Sequence, residues 1–145
     1  MAKAKRGPKA PSSAAFPRPT ADDPCPCGWG RAYGECCGPI HEGRAAAPTA
    51  EALMRSRYSA FAVGDEPYLL RSWHPSTRPA LLELDPDQRW LRLEILATEG
   101  GSAFHSEGSV EFRAYYHEQG QEDVLHEHSR FVRDGGAWVY LDGDA

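Results

Sequence analysis

Two hydrophobic periods divide this chain of 145 residues. In "APTAEALMRSRYSAFAVGD" (47–65), Leu53, Met54, Tyr58, Phe61 and Ala62 recur at helical spacing and predict one amphipathic helix. Pro48 stops any upstream helix and Thr49 is placed as the N-cap. Glu51 sits in the first turn, where the helix dipole favours an acid, and Gly64 is a C-terminal stop. A second helix is expected at once. Asp65 can cap it, Pro67 suits its first turn, Tyr68, Leu69 and Trp73 form its apolar face, and Pro75 ends it. Residues 76–89 follow neither period and read as a connector, with one helical turn expected near Leu81.

From Trp90 the period becomes two, as in a strand with one buried face. Leu91, Leu93 and Ile95 alternate with Trp90, Arg92 and Glu94. Val110, Phe112, Ala114 and Tyr116 alternate with Glu111, Arg113, Tyr115 and His117. Leu125, Glu127, Ser129 and Phe131 alternate with Val124, His126, His128 and Arg130. Asp134-Gly135-Gly136 is a hairpin turn, and "AWVYLDG" is the closing strand. Helices followed by an antiparallel meander define an α+β domain over 44–145. A strongly curved sheet wrapped on the helices would enclose a pocket between them.

The ends of the chain differ in charge. Residues 1–23 hold Lys3, Lys5, Arg6, Lys9 and Arg18 with no acid before Asp22, and are rich in Pro, Ala and Ser. Such a stretch cannot bury a core, and a disordered basic tail is expected there. No apolar run follows these charges, so no secretory signal is read, and no stretch approaches the length of a membrane span. A cytoplasmic location is therefore expected. Residues 21–145 carry 11 Arg, no Lys and 21 acids, a net charge of −10. That excess argues against broad binding to a phosphate backbone, so a nucleic-acid partner is not expected.

All four cysteines lie in "CPCGWGRAYGECCG" (25–38). A disulfide network needs an oxidising compartment, and neighbours as close as Cys25/Cys27 or Cys36/Cys37 cannot bridge without distorting the backbone. A tetrahedral thiolate site fits the spacing better, with Cys25, Cys27, Cys36 and Cys37 as ligands of one structural ion. Zinc is the expected metal; iron stays open, because four thiolates alone do not separate the two. His41, four residues past Cys37, stands as an alternative ligand. Pro26, Gly28, Gly30, Gly34 and Gly38 supply the tight turns, and Trp29 and Tyr33 can shield the ion.

Cys-x-Cys-Gly-x-Gly, then Tyr, then Cys-Cys-Gly resembles the SEC-C zinc motif, which gives residues 24–43 as a metal knuckle. That motif ends the bacterial translocation motor SecA, usually with His as the last ligand. The resemblance carries the ligand role to the same four cysteines. Trp29 stands where the motif usually has Ser, and the lysines between the ligand pairs are reduced to Arg31 beside acidic Glu35. The basic surface by which the motor's motif meets an acidic partner is therefore not implied here. Together with "YLLRSWHPSTRP" and "LHEHSRFVRDGGAWVYLDG", the segment 24–143 is similar to the YchJ-like family of small bacterial proteins. The resemblance implies a cone-shaped domain like nuclear transport factor 2 (NTF2) and SnoaL, and brings no activity with it.

A cone domain gathers polar groups from helix and sheet into one apolar cavity. Arg55, Tyr58, Trp73 and Ser129 are the candidate pocket residues, with His74 and Glu127 as candidate acid–base groups. An inward Glu127 must be paired, hydrogen-bonded or raised in pKa, and Arg55 is the expected partner. The alternatives are a structural Arg–Glu lock, a His74 that only caps the second helix, and a solvated rather than metal-binding pair at His126 and His128. Two functions are weighed. One is a non-enzymatic adaptor whose zinc knuckle docks a protein partner while the cone binds a small molecule or dimerises. The other is an enzyme of proton abstraction, hydration or isomerisation in the cone pocket.

Overall fold

The helical stripe folds where its caps place it. In the computed structural model, which describes Met1 and residues 15–145, a first short helix α1 spans Cys37–His41, α2 spans Ala50–Val63 and α3 spans Glu66–Arg71. Thr49 Oγ1 accepts the Ala52 amide at 3.0 Å and Asp65 Oδ1 the Tyr68 amide at 3.1 Å, so both predicted N-caps form. Gly64 ends α2 in the left-handed conformation. The segment 2–14 of the expected disordered tail lies outside the described residues. Phe16, by contrast, lies against Gly64.

Four strands follow: β1 (Arg89–Gly100), β2 (Glu107–Glu118), β3 (Gln121–Asp134) and β4 (Ala137–Asp144). They form one antiparallel meander in the order β1-β2-β3-β4. The inner face of β2 and β3 is the one the alternation predicts, with Val110, Phe112, Ala114, Glu127, Ser129 and Phe131 buried. These residues, with Trp138 and Tyr140 of β4, close over Leu53, Met54, Tyr58 and Phe61 of α2.

Three expectations change. On β1, Leu91 is exposed and Trp90 packs inward, in ring contact with Tyr58, Phe61 and Tyr116. The register shifts between Trp90 and Arg92, and an extra residue in one strand reverses the faces beyond it. The second helix stops at Ser72 rather than running to Pro75, because residues 72–74 pair with β4 instead. The Tyr140 amide donates to Ser72 O at 2.8 Å and the His74 amide to Tyr140 O at 2.7 Å. No helical turn forms at Leu81, which is exposed; its neighbour Leu82 is the residue that enters the core.

Candidate metal centre and cone cavity

The cysteine segment closes on itself through its backbone. The Cys25 amide donates to Arg31 O and the Tyr33 amide to Asp23 O, making a small loop whose turn passes through Gly28. Gly28 has φ 76°, a conformation that side chains disfavour. All four cysteines are free thiols, and their sulfurs lie within 4.8 Å of one another. A tetrahedral ion with sulfur bonds of about 2.3 Å needs sulfurs about 3.8 Å apart. The Cys27–Cys36 separation is 3.6 Å, so the donor set fits such an ion.

Proton chemistry points the same way. The Cys27 and Cys37 thiols hydrogen-bond to Cys25 and hold it as the favoured thiolate, and that interaction drives both of them upward. Burial, then the charge of Cys27, pushes Cys36 up to about 12. Four thiols this close cannot all ionise unless a cation replaces their protons.

The cage is part of the core. Cys25, Cys27 and Cys37 are buried and continuous with Leu53, Met54 and Tyr58. From α2, Ser59 Oγ donates to Cys37 Sγ at 3.3 Å and lies 3.7 Å from Cys25 Sγ. Arg55 Nη1 donates to Cys27 O at 3.0 Å, and its guanidinium stacks on Trp29 with 4.7 Å to the ring centroid. Residues 39–47 look like a loose joint in sequence, yet Arg71 Nη2 donates to His41 O at 2.6 Å and clamps them to α3.

His41 serves this packing and has no lone pair left for a metal. Its Nε2 must donate to Ser56 O at 2.8 Å, so in the neutral ring Nδ1 accepts from the Tyr33 hydroxyl at 2.6 Å. Burial lowers its pKa and keeps it neutral. Tyr33 therefore spends its hydroxyl inside the fold, while Trp29 is 37% exposed at the rim.

Inside the cone, Glu127 is buried on β3. Its Oε2 accepts from Ser129 Oγ at 2.5 Å and from the Tyr140 hydroxyl at 3.4 Å. The expected partner, Arg55, is not there: it belongs to the knuckle joint and pairs with Glu51 at 2.9 Å. The arginine inside the cone is Arg57, fully buried. It donates to Leu69 O at 2.8 Å and Ser72 Oγ at 2.7 Å, and lies over the rings of Trp73 and Tyr140. Burial lowers its pKa to about 10, which leaves it charged at neutral pH.

Tyr58 and Trp73 are buried as expected, Tyr58 edge-on to Trp90 and Trp73 edge-on to Tyr140. His74 is not joined to Glu127; its Nδ1 meets Ser76 Oγ at 2.7 Å and accepts the Ser76 amide at 3.0 Å. His126 sits on the outer face paired with Glu111 at 2.7 Å, and His128 is exposed. Arg57, Ser59 and Tyr140 join these sites although neither motif nor residue type in the sequence marks them as members. Arg57 carried a signal, since it lies four residues from both Leu53 and Phe61 on the apolar stripe.

A four-thiol knuckle packed on a helix-and-meander domain defines the class: a SEC-C protein with an NTF2-like domain. Residues 49–143 match the family model described as "YchJ, middle NTF2-like domain". A UPF0225 protein of Streptomyces coelicolor is 63% identical over 121 residues, spanning 83% of this chain and 94% of that protein. One of Streptomyces avermitilis is 53% identical over 144 residues, 99% of this chain and 98% of its own. The solution structure of a SEC-C motif containing protein from Rhodopseudomonas palustris aligns with TM-score 0.74 at 33% identity, covering 85% of this chain and 98% of that one. The crystal structure of a SEC-C motif containing protein from Psychrobacter arcticus aligns with TM-score 0.69 at 28% identity, covering 84% and 82%. The chain belongs to the YchJ-like, UPF0225 family. Among the described residues, no helix is long and apolar enough to cross a membrane.

Proposed function

We propose that this protein is a zinc-stabilised binding module of the reducing cytoplasm. Its knuckle docks a protein partner and its cone domain holds a small ligand. The observation that carries the reading is a groove of about 320 Å³ beside the thiol cage, lined by Trp29, Arg31, Cys36, Ile40, Glu51 and Ala52 among others. An exposed indole with the Arg31 and Arg55 guanidiniums 4.7 Å from its centroid is an anchor of the kind that dominates protein interfaces. A closed set of four thiolates leaves no open position for catalysis at the ion, which supports a structural zinc. The acid–base alternative lacks its histidine: His74 engages Ser76, and Glu127 is bound by Ser129 and Tyr140.

Metal analysis of protein purified without added metal is expected to find one zinc per chain. Iron in its place would overturn the metal assignment, and two disulfides without metal would overturn the cage. Capture experiments with wild type, Trp29→Ala and Cys36→Ser test the docking surface. Both variants should lose the same partner, with Trp29→Ala still folded and metal-loaded. A partner kept by both would sink docking by the knuckle.

A further inference from the structure

The groups buried in the cone leave a gap of defined chemistry. Arg57 and Glu127 enter the same buried interior from α2 and β3, yet no direct salt bridge joins them. What lies between them in the structure is Met1, wholly buried. Its α-amino nitrogen is 3.2 Å from Glu127 Oε2, and its carbonyl accepts from Arg57 Nη2 at 3.0 Å. The methionine side chain belongs to the buried cluster that holds Leu69, Trp73, Phe131 and Tyr140. A buried guanidinium and a buried carboxylate that do not touch each cost desolvation energy. One ligand that reaches both, with a donor at one end and an acceptor at the other, offsets both costs at once.

Further features hold the carboxylate ready. Ser129 Oγ and the Tyr140 hydroxyl donate to the same Oε2 that meets the amine. Gly143 leaves room beside it, since a Cβ at that position would run into the Glu127 carboxylate. Arg57 Nε has no hydrogen-bond partner among the described residues, so the guanidinium has donor capacity beyond the contacts it makes.

We propose that the cone cavity is a receptor for an α-amino-acyl group with an unbranched apolar side chain. Glu127, held by Ser129 and Tyr140, takes the amine, Arg57 takes the adjacent carbonyl or carboxylate, and Met1 is the occupant seen here. This deepens the reading of the cone as a ligand-binding domain and rests on it. The shared chemistry has two sources, a free amino acid and the N-terminus of a peptide. A free amino acid presents a carboxylate to Arg57, and a peptide presents a carbonyl as Met1 does.

The test uses two preparations, one retaining Met1 and one lacking only that residue, checked by intact mass. The chain has two methionines, so methyl-labelled protein gives signals from Met1 and Met54 alone. L-Methioninamide should move the Met1 methyl toward its free position and leave Met54 in place. Because a tethered group acts at about millimolar effective concentration, the probe should bind the chain lacking Met1 at least tenfold more tightly. N-Acetyl-methioninamide, Glu127→Gln and Gly143→Ala should each weaken binding at least tenfold, with folding checked by circular dichroism. L-Methionine and a Met-Ala dipeptide distinguish the two sources. Equal binding of the acetylated probe, or no binding to folded chain lacking Met1, overturns the proposal. A different small molecule co-purifying in the cavity also overturns it, while leaving the cone as a ligand-binding domain.

Discussion

Arg55 and Arg57 differ by two positions and by everything that surrounds them. A helix turns about 100° per residue, so two steps carry a side chain from the core stripe to the opposite flank. Arg57 is fully buried with three hydrogen bonds, whereas Arg55 lies at the knuckle rim paired with Glu51. Removing one charge from a buried, hydrogen-bonded set costs about 3–5 kcal/mol, while a partly exposed pair one helical turn apart is worth about 0–1 kcal/mol. Urea unfolding should therefore show Arg57→Ala severely destabilised and Arg55→Ala only mildly. Equal losses would contradict the placement of both residues. The Met1 amine gives a pH test. Burial lowers it from 8.0 to about 5, against the upward pull of Glu127 and with Arg57 pushing down. The docked state binds fewer protons than the free one, so docking is most favoured above 8.0 and weakens as pH falls toward about 5. Within that window, the docking equilibrium constant followed on the Met1 methyl should fall by about tenfold per pH unit.

At the scale of elements, α2 serves both sites. Ser56, Ser59 and Arg55 reach the knuckle, while Arg57 reaches the cone cavity. The helix itself was legible, because Thr49, Glu51 and Gly64 are local signals and the apolar stripe repeats over four turns. Ser59 was not legible as a group at the thiol cage, since serine on a buried helix face carries no mark of what it meets. Its contact depends on a segment 22 positions away. Outer groups that donate to metal ligands commonly change affinity by about 10–100-fold. Competition with a chromophoric chelator should show Ser59→Ala binding its metal about tenfold more weakly at unchanged stoichiometry. The bulge in β1 was hidden for a related reason. The alternation of Leu91, Leu93 and Ile95 is locally consistent, and only pairing with β2 turns Trp90 inward instead.

Over the whole molecule the knuckle and the cone share one core, joined by the Ser59, His41 and Arg71 contacts. The charge asymmetry of the sequence does not reveal this, and the residues 39–47 alone suggest the opposite. Binding energy at a structural thiolate site is folding energy, so here it should stabilise the cone as well as the knuckle. Chelation is expected to lower one cooperative thermal transition by more than about 10 °C, since each kcal/mol lost moves Tm by about 2–4 °C in a domain of this size. A cone transition left unchanged by chelation would show that the two fold independently.

The sequence by itself determined the α+β order, both helix caps, the inward face of β2 and β3, and the cluster of four thiols. Each of these rests on neighbours within a few positions, where spacing and residue type dictate geometry. Tertiary structure alone decided which arginine enters the cavity, that Ser59 reaches the thiols, that His41 locks the joint, and that Met1 lies between Arg57 and Glu127. Those contacts join segments 12 to 126 residues apart. Chain folding brings such groups together, and no local period records which of them will meet.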